Sequence, residues 1–138
     1  MGKLTSGSIF AIPAGSYFGA AKVIYVSERY KDVFLIKLLQ QKFDSEEAIY
    51  IESKFDSFTL FYVGVMSIKK GEWRLLGEQG VSDAEKRLSR RIVAQDVWVE
   101  DTHIGPASED DFKELKHMDV YGWVLIQKAI MRLENQPV

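Results

Sequence analysis

From Ser8 to Ile68 the chain writes one kind of segment four times: "SIFAIP", "YFGAAKVIYVS", "VFLIKLL" and "FTLFYVGVMSI", each rich in β-branched or aromatic residues and bounded by polar or turn-forming stretches. Such residues suit a pleated, half-buried surface, and their close succession predicts an antiparallel meander. In the second segment the two-residue period places Tyr17, Gly19, Ala21, Val23 and Tyr25 on one face. Phe18, Ala20, Lys22, Ile24 and Val26 take the other. Both faces are partly apolar, so a covering layer is expected on at least one of them.

Gly19, Ala20 and Ala21 offer little side chain to pack. Glycine inside a strand marks a bulge, a sharp bend or the close approach of another part of the chain, and a tightly coiled sheet accounts for all three small residues. "SERYKD" is read as the turn between the second and third strands, and "IKKGEW" as a hairpin with Gly71 at positive φ.

After Gly80 the punctuation turns helical. Ser82 and Glu85 have the spacing of a capping box, predicting a helix over about residues 83 to 90. "RIVAQDVWVED" reads as one strand, with Asp96 and Trp98 on a shared face, and Ser108 as the cap of a short turn that runs through Asp110, Asp111 and Phe112. For "MDVYGWVLIQKAIMRLEN" the spacing predicts a helix from about 120 to 134, capped by Asp119, with Val120, Trp123, Val124, Gln127, Ile130 and Met131 facing inward. "VYGWVLI" also suits a buried strand. The expected fold is α+β: a coiled antiparallel sheet or small half-barrel of about five to six strands with a C-terminal helix packed on it.

A chain of 138 residues is expected to form a single domain, and its 46% apolar content supplies an ordinary core. Cysteine is absent, which removes disulfides, thiol nucleophiles and cysteine-ligated zinc. The opening "MGKLTSGSIFAIP" is too polar and too broken for a signal or membrane segment, so the cytoplasm is the expected compartment and no membrane partner is expected. A net charge of −2 argues against nucleic acid as a partner. Acids crowd residues 44 to 56 and 100 to 119, and Lys86, Arg87, Arg90 and Arg91 form a short basic cluster. Solvated surface is the first reading of all three runs.

Few constellations carry chemistry. His103 and His117 lack any local metal-binding spacing, and neither a serine-nucleophile motif nor a phosphate loop is present. No catalytic residue, metal or cofactor is therefore assigned. Asp96 beside Trp98 is the carboxylate best placed for desolvation, and Trp73, Asp96 and Trp98 are the candidate lining of a pocket, with burial in a core as the alternative for the tryptophans.

Two blocks carry a family resemblance. In "GSIFAIPAGSYFGAAKVIYVS" the residues are Gly7, Phe10, Ala11, Ile12, Pro13, Tyr17, Gly19, Lys22 and Val23; in the stretch from Gly71 to Gly122 they are Trp73, Gly77, Arg91, Ile92, Asp96, Val97, Trp98, Met118, Val120 and Gly122. The chain resembles immunity protein family 26, bacterial proteins of polymorphic toxin systems, although Ser8 stands where that pattern commonly has an acid. The resemblance implies a non-enzymatic protein that binds and neutralises a cognate toxin. For a basic toxin the partner-binding acids would be Asp44, Glu46, Glu47, Glu100, Asp101, Glu109, Asp110 and Asp111. The same family label is attached to a small phosphotriesterase acting on coroxon-like organophosphates, which implies a hydrolase as the alternative. A ligand-binding β-barrel is the third reading.

Overall fold

The computed structural model describes residues 4–27, 33–49, 57–115 and 120–133. The fold is α+β. Four consecutive strands, β1 (Ser8–Ala14), β2 (Tyr17–Val26), β3 (Val33–Leu39) and β4 (Phe58–Gly64), form the expected antiparallel meander. Two further strands complete a six-stranded sheet: β5 (Arg74–Glu78) pairs antiparallel with β1, and β9 (Val120–Tyr121) runs parallel to β4 at the opposite edge. The described strands do not close into a barrel. A second, three-stranded sheet contains β6 (Arg91–Val93), β7 (Asp96–Val99) and β8 (Thr102–Pro106).

Both faces of the large sheet are covered. On one face Phe10, Ile12, Ala21, Val23, Phe34 and Ile36 pack with Trp73 and with Ile126 and Ile130 of the C-terminal helix α4 (Trp123–Met131). Gly19 makes that docking possible: a Cβ there would stand 2.5 Å from Ile130 Cδ1. Of the three causes expected for the small residues, close approach is thus the one that holds at Gly19, and the approaching element is a helix side chain.

The opposite face carries two apolar patches. Ile9, Ala11, Ala20, Leu39, Phe43 and Ile49 form one, and Ile24, Tyr25, Leu35 and Tyr62 the other. Lys22 and Lys37 are a cross-strand pair on this face, both buried. Helix α2 (Asp83–Arg87) supplies their counter-ion, Glu85, at 2.9 Å from Lys22 and 3.2 Å from Lys37. The expected capping box is formed: Ser82 Oγ accepts from the Glu85 N–H and Glu85 accepts from the Ser82 N–H. The same two-way bonding joins Ser108 and Asp111 at the start of helix α3 (Glu109–Glu114).

Several local expectations are corrected. The β2–β3 pairing shifts register between Val23 and Tyr25, so Tyr25 lies with Ile24 on the second face and not with Gly19 and Ala21. A bulge of this kind adds one residue to one strand and reverses the alternation beyond it. The fourth strand ends at Gly64, and Met66–Lys70 is helix α1, which Gly71 ends with φ −87°; the positive φ belongs to Glu72. "RIVAQDVWVED" folds as a hairpin, β6 and β7, because Ala94 takes φ 57° and turns the chain. Helix α4 starts at Trp123 after the Gly122 cap, while Val120 and Tyr121 are strand, and its buried residues are Ile126 and Ile130. Val124 and Met131 are exposed, so the inward face is rotated from the expected one. Asp119 lies outside the described residues.

Candidate functional site

The small sheet packs its first residue, Arg91, against the second patch of the large sheet. Arg91 is 2% exposed, although it closes the basic cluster that its sequence context places on solvated surface. Its guanidinium carbon is 5.5 Å from the ring centres of both Tyr25 and Tyr62, a spacing at which an aromatic face attracts a cation. The bulge in β2 is what turns Tyr25 toward this arginine.

A network of main-chain groups fixes the site. Arg91 Nη1 donates to the Ser89 carbonyl at 3.2 Å and to the Glu100 carbonyl. Ser89 is fully buried; its carbonyl also accepts from the Tyr62 hydroxyl at 3.1 Å and its Oγ accepts from the Glu100 N–H at 2.8 Å. Glu100 holds a positive φ of 51° in the turn between β7 and β8, and both of its main-chain polar groups serve this network. Next to it, the Asp101 carboxylate accepts from the Tyr25 hydroxyl and from Ser27 Oγ. Burial, and then the bond to Asp101, push the Tyr25 hydroxyl up to about 12. Burial also pushes Tyr62 upward, so both rings stay neutral beside the guanidinium.

Arg91 contributes to a cleft of about 740 Å³, a size that suits a small ligand. Its walls are largely apolar, formed by Leu35, Leu60, Phe61, Leu88, Val99 and Leu115, with the rings of Tyr62 and Tyr121. Charge enters from Arg87, Arg90, Arg91 and Glu114. Arg90 pairs with Asp111 at 2.9 Å. Among the described residues Arg91 has no carboxylate at ion-pair distance, and its buried Nε and Nη2 have no hydrogen-bond partner.

The other candidate residues fall in separate places. Trp73 is in the core, against Phe10 and Phe34, and its buried Nε1 has no hydrogen-bond partner among the described residues. Asp96 and Trp98 lie on β7 and meet His103 of β8: Asp96 is 3.1 Å from His103 Nε2, and the Trp98 ring stands edge-on to the imidazole. None of these three lines the cleft, and His117 lies outside the described residues. Among the described residues no group of three or more metal-ligating side chains forms.

The acids divide likewise. Asp44 and Glu47 are exposed beside the turn Glu46–Ala48, where Glu46 pairs with Arg74. Glu109 and Asp110 are exposed on α3, whereas Glu100, Asp101 and Asp111 have structural partners. Ser89, Tyr25 and Tyr62 were not legible as site residues. The only signal near them in the sequence is the cluster Arg87, Arg90 and Arg91.

No helix among the described residues is long and apolar enough to cross a membrane. Compared with protein-family models, curated proteins and solved structures, the chain matches none.

Proposed function

We propose that this protein works by binding, as an immunity protein that holds and neutralises a toxin, with the cleft beside Arg91 as its working surface. The observation that carries the binding reading is the largely apolar cleft of about 740 Å³, with Arg91 on its lining tethered by the Ser89 and Glu100 carbonyls. A group fixed in advance by main-chain bonds loses little freedom when a partner arrives. The toxin as partner rests on the sequence resemblance. Co-expression with each toxin encoded beside the gene tests it: restored growth and a purified complex are expected, and a neighbourhood without a toxin, or a toxin that kills undiminished and elutes alone, overturns the reading.

A hydrolase is the second reading, and the contact between Asp96 and His103 favours it. A carboxylate that orients an imidazole is a recurring arrangement in acid–base catalysis. Here the pair is close to half exposed, at 44% and 49%, and makes no part of the cleft. Assay of paraoxon-type substrates with zinc, manganese or cobalt decides it. Turnover abolished by both Asp96→Ala and His103→Ala establishes the site, and no turnover with any of the metals removes the class.

A further inference from the structure

We propose that β5 is a self-association edge, on which a second copy of this chain adds its own β5 antiparallel about a two-fold axis. The proposal goes beyond the binding function of the cleft and does not depend on it.

β5 is the outermost strand of the large sheet: β1 pairs with one side of it, and no strand among the described residues pairs with the other. An outermost strand keeps a row of main-chain N–H and C=O groups that another strand can join. Its side chains are open as well. Arg74, Leu75 and Glu78 are exposed, and Leu75, at 52%, is an apolar side chain left in solvent.

The order of residues in "RLLGE" selects the occupant. A two-fold axis sets residue i against residue j and j against i, so a strand with opposite charges at its two ends is complementary to itself. Turned end for end about Leu76, each copy brings its Arg74 end beside the Glu78 end of the other, and one strand supplies two attractive pairs. Gly77 comes opposite Leu75 in that arrangement and leaves room for the leucine. A parallel addition would set arginine beside arginine and glutamate beside glutamate, which is destabilising.

Two features hold the association to a modest strength. Arg74 pairs with Glu46 of its own chain at 2.7 Å, but its side chain is 71% exposed, so that pair is screened by water and yields readily to a second carboxylate. The pairing of β5 with β1 shifts between Ile9 and Phe10, and an irregularity of this kind bends the edge and shortens the regular ladder it offers. A five-residue strand also makes a small interface, of the class that weak and transient complexes use. The expected dissociation constant therefore lies between about 10 μM and about 1 mM.

Sedimentation equilibrium of the full chain at low salt, from about 10 μM to about 2 mM, tests the proposal. The mass is expected to rise from monomer toward dimer, with the amide resonances of Arg74–Glu78 broadening over the same range. Arg74→Glu makes both ends of the strand acidic, and Glu78→Arg makes both ends basic. Both positions are exposed, and the amide spectrum of each dilute variant reports that it is folded. Each variant alone is expected to associate about tenfold or more weakly than the parent, and an equimolar mixture of the two is expected to recover the parent's association, because an acidic strand then meets a basic one. A mass that stays monomeric to about 2 mM overturns the proposal. So does a dimer that both variants form as well as the parent does, or a mixture that associates no better than its components. Toxin neutralisation by a strictly monomeric chain leaves the binding function standing and removes the edge, and a charge-dependent dimer that neutralises no toxin does the reverse.

Discussion

Glu85 divides its two carboxylate oxygens between Lys22 and Lys37, at 2.9 and 3.2 Å, and so ties helix α2 to the centre of the large sheet. Lys22 is completely engaged, donating also to Gln79 Oε1 and the Gly80 carbonyl. Lys37 lies 4.3 Å above the Phe58 ring. Removing the shared carboxylate leaves two buried ammonium groups facing one another across neighbouring strands. Glu85→Gln is therefore expected to cost about 3 kcal/mol in urea unfolding, the scale for breaking a buried pair. A loss below about 1 kcal/mol would show that the lysines find other partners.

The same carboxylate sets an acid limit on stability. Burial raises the Glu85 pKa, but the Ser82 N–H, Lys22 and Lys37 outweigh it and bring the group down to about 2. A carboxylate depressed in the folded state contributes stability that is complete above its unfolded value, near 4.5, and that fades as the pH falls toward 2. On the order of 3 kcal/mol is expected to disappear across that window. Unfolding free energies measured between pH 5 and pH 2 for the parent chain and for Glu85→Gln should converge toward the acid end.

At the alkaline end Tyr25 acts with the opposite sign. Its hydroxyl ionises near 10 when unfolded and near 12 when folded, so its contribution is complete below pH 10 and is lost as the pH rises toward 12. Tyr25→Phe removes the bond to Asp101 and is expected to cost about 1 to 3 kcal/mol at neutral pH, as for a hydrogen bond to a charged group. The variant should also lose stability less steeply in alkali. An unchanged alkaline slope would place the effect in another group.

Gly19→Val forces Ile130 out of its seat, since even a Cβ would reach 2.5 Å from its terminal carbon. Overpacking of this kind costs about 1 to 3 kcal/mol. Combined with Ile130→Ala the two losses should be less than additive, because the smaller side chain frees the space that valine needs. Additive losses in a denaturation series would show that the two residues act separately.

Ala94→Gly is expected to stabilise the chain. Ala94 sits at φ 57°, where an L side chain crowds its own backbone by about 1 kcal/mol and glycine does not. The gain should appear as a rise in Tm, with slower amide exchange confined to β6 and β7. A lower Tm would show that the turn relaxes elsewhere.

Local signals in this chain were readable and long-range ones were not. The Ser82–Glu85 box, the first four strands and the need for a neighbour at Gly19 all follow from residues within a few positions of one another. Strand β5 has no signature because "RLLGE" shows no alternation of apolar and polar residues, and three of its positions, Arg74, Leu75 and Glu78, face solvent at a sheet edge. Strand β8, "THIGP", contains the residues that usually interrupt strands. The buried state of Arg91 depends on Tyr25 crossing to the second face, on the Glu100 turn and on Ser89, and none of these has a signature in the local sequence.

The irregularity between Val23 and Tyr25 gives β2 two phases along its length. Its first half reads toward α4 through Gly19 and Ala21, and its second half reads toward the hairpin through Ile24 and Tyr25. Helix seat and arginine cleft are therefore indexed to one strand but offset by a single residue. Ile24 is the extra residue, since Val23 pairs with Ile36 and Tyr25 with Leu35, so its deletion would make the strand regular and leave Tyr25 on the second face. Substitution can retune either half, and removal of the extra residue leaves the two in alignment.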